Sequence, residues 1–312
     1  MKKPVTVSLV VPIYGVERYI GKFAESAFGQ SYPHIQYIFV NDGTKDNSIN
    51  ILKEVLEKYP ARKEQVVIVD KENGGLPAAR RTGLEYVTGE YVYHVDSDDW
   101  LSETAIEKIA ARIEETGSDI IYFNFVKEYE GRSKCKRERL YTVETKAQYI
   151  RNMFNHKSYA AVWNKCVKAS LYKEHVIYVP QFGYAEDCYL TSQLVGYAGS
   201  ISFLDEELYH YRKGNPNALT RQGIKKRKRE YAMNFIDLYE KYSAVPREAN
   251  PVAPILDDIA MQLAWYSILY NLGLFREYPY LAKAAGKAKL STGTNVPLPA
   301  QLLVKAYLFF KR

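Results

Sequence analysis

The first 129 residues alternate two hydrophobic periods without a break, and that alternation limits the fold more than any other feature. Apolar, β-rich runs lie at 5–11 (VTVSLVV), 35–40 (IQYIFV), 65–70 (QVVIVD), 90–95 (EYVYHV) and 119–129 (DIIYFNFVKEY). After the first run, Val16, Tyr19, Ile20, Phe23 and Ala27 recur at helical intervals, the mark of a helix with one buried face. Further helices are predicted over 46–59, 76–87 and 102–117. Their expected N-caps are Asp46 or Asn47 and Ser102, with Pro77 in a first turn and Gly117 as a stop. Near-continuously apolar strands are covered on both faces, and strand–helix alternation joins strands in parallel. The expected class is α/β, a mainly parallel doubly wound sheet with helices on both faces. Pro12 is expected to end the first strand.

In such sheets ligands bind beyond the carboxyl ends of the strands. Strand one ends in Tyr14-Gly15, strand two in Asn41-Asp42-Gly43, strand three in Asp70 followed by KENGG (71–75), and strand four in Asp96-Ser97-Asp98-Asp99. Asn-Asp-Gly alone is good turn chemistry. Three successive strands delivering a carboxylate to one edge is more than turns require. Two or three acids on one tight turn suit a hard divalent ion, which binds through oxygen and keeps water and substrate phosphates as its other ligands. Gly74 and Gly75 let backbone approach a ligand closely. Arg80 and Arg81 follow near the start of the next helix, where phosphate would sit; solvated arginines beside a tight turn are the plainer alternative. No G-x-G-x-x-G follows strand one and no G-x-x-x-x-G-K-[ST] occurs, which disfavours dinucleotide oxidoreductases and P-loop enzymes.

Beyond residue 130 the alternation loosens. Residues 131–141 form a charged excursion, 159–212 mix short apolar runs, and the pattern is helical after Pro216. The segment 259–275 is apolar almost all round but carries Gln262, Ser267 and Asn271, and it is predicted as a buried helix rather than a membrane span. Net charge is +7, and 216–312 hold 15 Lys+Arg against 7 Asp+Glu, leaving 28 and 29 in the rest. The positive excess therefore belongs to the last third and calls for an anionic partner. The basic run 225–229 is one block without interleaved aromatics, unlike a nucleic-acid-binding face. With the apolar, basic close LPAQLLVKAYLFFKR it fits an anionic membrane surface. Cys135, Cys166 and Cys188 form no C-x-x-C pair and fit a reducing compartment. The short N-terminal apolar run, soon followed by Glu17 and Arg18, reads as a strand rather than a signal peptide. The expected location is cytoplasmic, peripheral at the inner face of the cell membrane.

VSLVVPIYG, VNDGTKDNS, KENGGLPAARRTGL and YHVDSDDW, in this order and spacing, resemble the N-terminal half of glycosyltransferase family 2, inverting enzymes of the GT-A fold that use nucleotide-sugar donors. WNKCVKASLY, YAEDCYL and LYHYRKGNPNALT resemble that family's later motifs. The resemblance covers 5–220. It implies a GT-A domain over 1–215, with 216–312 as a basic helical extension. It implies that Pro12, Ile13, Tyr14 and Glu17 surround the nucleotide base, usually uracil, and that Asp42 hydrogen-bonds it, beside Gly43. Lys71, Asn73, Gly74, Gly75 and Arg80 would line the same pocket. Asp96, beside Ser97, would hold the ribose or a water of the metal, and Asp98 would coordinate Mg²⁺ or Mn²⁺ bridging the diphosphate. Arg212 would lie against that diphosphate. Asp187 would be the catalytic base with Glu186 next to it, and Trp163 would wall the acceptor, a saccharide or lipid-linked saccharide of surface polysaccharide assembly. Where the family often has Asn after the Tyr, and Ser and Asn in the third-helix motif, this chain has Gly15, Pro77 and Arg81, which bears on donor identity. Three alternatives stand beside this reading: a metal-dependent nucleotidyltransferase, whose glycine-rich loop PIYGVERY does not supply; an inactive nucleotide-sugar-binding protein; and, for Glu186-Asp187 alone, a helix-capping acidic pair. His94 is expected to pack within its strand.

Overall fold

Each apolar run of the first 129 residues forms a strand and each helical-period segment a helix. In chain order the first elements are β1 (Val7–Ile13), α1 (Ile20–Phe28), β2 (Ile35–Asn41), α2 (Ser48–Glu57), β3 (Val66–Asp70), α3 (Leu76–Glu85) and β4 (Tyr91–His94). There follow β5 (Trp100–Leu101), α4 (Ala105–Thr116), β6 (Ile120–Tyr129), β7 (Arg132–Lys136), α5 (Lys146–Phe154), β8 (Lys165–Lys168) and α6 (Ala169–Glu174). The chain continues through α7 (Glu186–Tyr197), β9 (Ile201–Arg212), α8 (Ile224–Tyr242), α9 (Leu256–Leu269), α10 (Leu274–Glu277), α11 (Tyr280–Lys287) and α12 (Leu298–Phe310). The computed structural model describes residues 4–129, 132–136, 145–215, 223–290 and 294–310.

The strands make one sheet in the order β3-β2-β1-β4-β8-β6-β9-β5, with β7 paired to β6. β1 to β4 are parallel. β8 enters antiparallel between β4 and β6, and β5 is antiparallel to β9, so the sheet is mixed. Period-two alternation in β2 sends Ile38 and Val40 to the face covered by Ala79 of α3. The same period stacks Tyr37 and Phe39 against Phe23 and Phe28 of α1 on the other face. Burial on both faces is what the near-continuous apolar runs required.

Pro12 does not end β1; it pairs in register with Val40 and the strand runs to Ile13. Val10, two residues earlier and pointing the same way, accepts from Val95, but the β4 ladder stops at His94. The missing N–H of Pro12 therefore faces β4 at the end of that ladder, where a single rung is lost. Thr104, not Ser102, holds the N-cap position of α4, and the Ser102 hydroxyl donates instead to the Glu207 carbonyl (2.8 Å). Part of the excursion at 131–141 is β7, the hairpin partner of β6; the rest lies outside the described residues.

The chain divides into two compact units. One is Met1–Arg139, Ala161–Val179 and Tyr197–Asn217, and the other is Leu140–Ala160, Pro180–Gly196 and Ala218–Arg312. A single boundary after 215 therefore misses two excursions, which carry α5 and most of α7 into the helical unit. The reason lies in side-chain contacts with α8: Phe154 of α5 packs edge-on against Phe235 (5.2 Å), and Tyr189 of α7 donates to Asp237. In the same unit α9 is a largely buried helix, as its sequence predicts. Among the described residues no helix is long and apolar enough to cross a membrane.

Candidate functional site

The winding of the parallel strands reverses at β1, which has β2 on one side and β4 on the other. That reversal opens a crevice at their carboxyl ends, the usual ligand position in an open α/β sheet. Tyr14 stands at its mouth, 57% exposed.

Asp42, at the end of β2, is only 3% exposed. Its Oδ1 accepts from the Gly74 N–H (2.9 Å) and from Lys71 Nζ (2.6 Å), and its Oδ2 accepts from the Gly75 N–H (2.8 Å). Asp42 was expected to read a base; here both its oxygens shape the 71–75 loop, and Oδ2, with a single bond, keeps a lone pair for a further donor. Two glycines are needed for this geometry. Gly43 has φ +69°, and a Cβ there would lie 2.9 Å from the Asn73 nitrogen. Gly75, at φ +83°, is the N-cap of α3 and has open space above it. The N-terminus of α3, with its unpaired amides and positive dipole end, thus opens at the crevice.

On the neighbouring side, Glu17 ties β1 to α2. Its Oε2 accepts from the Asn47 N–H (3.1 Å), and its own N–H donates to Asp46 Oδ2 (2.9 Å). Asn47, one of the two expected caps, holds the N-cap position of α2, and Asp46 beside it is a hub, accepting also from Thr44 and from the Ser48 hydroxyl and N–H. Partial burial works to raise its carboxyl, but the bonds from Ser48, Thr44 and Glu17 outweigh that and hold it below the usual range.

The acidic turn after β4 separates its four residues into distinct tasks. Asp96 Oδ1 accepts from Arg80 Nη2 (2.8 Å), and Arg80 is 3% exposed. The Ser97 hydroxyl is used on the Pro12 carbonyl (2.7 Å), binding the turn to β1 instead of facing a nucleotide. Asp98 is partly exposed and accepts from Asn215 Nδ2 (2.7 Å). Asp99 is buried and accepts from the Tyr209 hydroxyl (2.6 Å) and the Arg212 N–H (2.7 Å). Burial first, then the Asp98 and Asp96 charges, push the Asp99 carboxyl well above its ordinary range.

Arg212 Nε donates to the Asp98 carbonyl (2.9 Å), and its guanidinium lies over the rings of Tyr19 and Trp100, 4.9 Å from each. Lys22 Nζ sits 3.2 Å from the Trp100 ring centre. Partial burial and then the Arg212 charge lower the Lys22 ammonium. Tyr209, Asn215, Lys22 and Trp100 were missed by sequence reasoning, and Asp99 was read only as one acid of the turn. More than a hundred residues separate Asp99 from its partners, and only the closeness of Asn215 to Arg212 in LYHYRKGN hinted at a shared role.

Trp163, expected to wall an acceptor, is 6% exposed. It stacks on Tyr209 (4.6 Å) and Tyr211 (5.2 Å) and meets Phe125 edge-on (4.7 Å), so it packs β9 against β6. His94 packs as expected. Burial, with the Arg80 charge, lowers its imidazole to about 3.

Glu186 and Asp187 lie in the helical unit, in the first turn of α7, where the helix dipole favours carboxylates. Glu186 is buried and Asp187 partly exposed. Asn234 of α8 staples the preceding segment: its Nδ2 donates to the Phe182 (2.8 Å) and Tyr184 (3.1 Å) carbonyls, and its Oδ1 accepts from the Phe182 N–H. No sequence signal marked Asn234 for this.

A mixed sheet with a β3-β2-β1-β4 parallel core, an acidic turn after β4 and an attached helical region defines the GT-A glycosyltransferase fold. The profile of Glycosyl transferase family 2 matches residues 8–177, and the chain belongs to that family. Among curated relatives, the putative glycosyltransferase EpsH of Bacillus subtilis is 28% identical over 271 residues, 85% of this chain and 75% of the relative. The glycosyltransferase GlyA of Streptococcus pneumoniae is 32% identical over 216 residues, 66% of this chain but only 30% of the relative. Among solved structures, Staphylococcus aureus TarS 1–349 in complex with UDP-GlcNAc superposes with a TM-score of 0.69 at 19% identity, covering 97% of this chain and 89% of that one. At that identity the likeness is one of fold.

Proposed function

We propose that the chain is an inverting glycosyltransferase that moves a sugar from a nucleoside-diphosphate sugar, a UDP-sugar first, to a hydroxyl of a saccharide or lipid-linked saccharide. The observation that carries this reading is the crevice itself. A glycine loop shaped by Asp42, the N-terminus of α3, the Arg80–Asp96 pair and the Asp98–Arg212 turn meet at the reversal point of the sheet. The UDP-GlcNAc complex of TarS supports the donor class. The name of a further relative, the minor teichoic acid biosynthesis protein GgaB of Bacillus subtilis, supports surface-polymer assembly.

In this reading the base lies by Tyr14 and the 71–75 loop, and the diphosphate faces the α3 N-terminus and Arg212. Lys22 and Arg212 bring two cations to the Trp100 ring, and an anion there would relieve their repulsion. The donor set fits Mn²⁺ or Mg²⁺: Asp98 offers a partly exposed carboxylate and Asp96 a second, and such ions are commonly completed by water and substrate phosphates. Bound there, the ion would offset negative charge on the departing diphosphate. Asp187 is assigned as general base from the YAEDCYL resemblance: its carboxylate takes the proton of the acceptor hydroxyl as that oxygen attacks the anomeric carbon, and configuration inverts.

Thermal unfolding with UDP, GDP and CDP, with and without Mn²⁺, tests the reading. A nucleotide at a hundred times its Kd adds about 2.7 kcal/mol. UDP is expected to stabilise most, with Mn²⁺ required, and Asp98→Ala is expected to remove the Mn²⁺ requirement together with most of the shift. No shift with any nucleotide would refute the transferase reading.

A further inference from the structure

We propose that the outward face of α12 is a docking surface for an anionic lipid bilayer. One side of α12 packs inward: Ala300, Val304 and Leu308 join Met261 and Ala264 of α9 and Ala285 of α11 in one core. At about 100° per residue, Leu298, Phe309, Leu302, Ala306 and Leu303 fall within an arc of about 140° on the other side. All five are exposed, Leu303 at 62% and Phe309 at 71%. The arc is as wide as the apolar stripe by which a surface helix normally faces a core. Here it faces away from the core.

The helix's one charge lies beside this arc, about 20° from Leu298, and is turned away from it. Lys305 turns inward, its Nζ donating to the Gly286 (3.1 Å) and Ala288 (2.8 Å) carbonyls at the end of α11, where a cation suits the carbonyl end of a helix. A helix built for water would keep its lysine in solvent and place polar residues along the exposed arc.

The surroundings select the occupant. From Tyr278 to Arg312 the sequence has six Lys+Arg and no Asp or Glu. Lys283 and Lys287 are exposed, one turn apart on α11, and Lys289 and Leu290 are exposed just beyond it. A second copy of this chain would bring the same positive charge to the contact. A layer of anionic headgroups complements it, and leucine and phenylalanine with nearby lysine is the composition of an interfacial helix. This inference stands independently of the sugar-transfer reading.

The test is co-sedimentation of the whole chain with vesicles of phosphatidylcholine containing roughly one third phosphatidylglycerol, at low salt. The protein is expected to pellet with these vesicles and to stay in solution with phosphatidylcholine alone. Leu303→Glu/Phe309→Glu is expected to lower partitioning by at least about tenfold, with far-UV circular dichroism unchanged. Lys283→Glu/Lys287→Glu, on a different helix, is expected to weaken binding to the anionic vesicles as well. Wild-type protein left in the supernatant at low salt would overturn the proposal. So would equal pelleting of the α12 variant, or a wild-type dimer that the α12 variant turns into a monomer without any vesicle binding. UDP stabilisation read in parallel separates the two proposals, because vesicle binding survives if only the transferase reading fails.

Discussion

Asp42→Asn distinguishes a residue that reads the base from one that holds the loop. The substitution keeps the shape of a side chain that is 3% exposed but replaces one acceptor oxygen with an N–H donor. Either the Gly75 N–H (2.8 Å) or the Gly74 N–H (2.9 Å) then faces a donor, and Lys71 Nζ (2.6 Å) loses its counter-charge. A hydrogen bond to a charged group is worth about 1.5–3 kcal/mol, and stranding a buried donor costs about 1–3 kcal/mol. The loop conformation should therefore weaken by about 3 kcal/mol, since these effects overlap. If the donor needs the loop in place, nucleotide affinity falls by up to about a hundredfold. The two roles differ in selectivity. Loss of loop order weakens UDP, CDP and GDP alike, whereas loss of a base contact weakens only the preferred base. Calorimetric titration with the three nucleotides, together with amide hydrogen exchange at Gly74 and Gly75, reads both. Faster exchange with a uniform loss is the expected result. Unchanged exchange with affinity within threefold of wild type would refute the loop-holding role drawn from this geometry.

Other residues give further tests. Asp187→Asn should lower kcat by about 10²-fold or more while leaving UDP affinity near wild type; single-turnover assays with donor and acceptor check this, and undiminished turnover would move the base to Glu186. Trp163→Ala should cost about 3–5 kcal/mol by opening a cavity among Phe125, Tyr209 and Tyr211, measured by urea unfolding; an effect confined to acceptor KM would restore the acceptor-wall role. His94 is held neutral in the fold to about pH 3, against 6.5 for an ordinary imidazole. Its contribution is whole above pH 6.5 and is lost as pH falls towards 3, at up to about 1.4 kcal/mol per pH unit. Wild type minus His94→Asn should show that slope in urea unfolding between pH 7 and pH 5, and parallel curves would exclude it.

The parallel half of the fold was legible because its signals are local. A strand covered on both faces must be apolar at nearly every position, and the intervening helices carry their own period. The carboxylates that end β2, β3 and β4 were visible for the same reason, since no packing need places them there. β5 was not legible, being two residues held only by pairing of Trp100 with His210 and Leu101 with Tyr209. Nor was β8, whose sequence KCVK looks polar although Lys165 is buried, its Nζ donating to Ala161 O and Asn164 Oδ1.

By itself the sequence determined which residues reach the ligand edge of the sheet, because strand ends and turn residues follow from chain-local periodicity and backbone preference. It also determined the basic character of the last third. Only the tertiary structure decided what each side chain does once there. It gave Asp42 to a glycine loop 32 residues on, Ser97 to the Pro12 carbonyl, and Asp99 to Tyr209, leaving Asp98 partly exposed. It turned Lys305 inward and Leu298, Leu302 and Leu303 of α12 outward. Hydrogen bonds and burial across such separations depend on how the elements pack, and no local pattern in the chain encodes that.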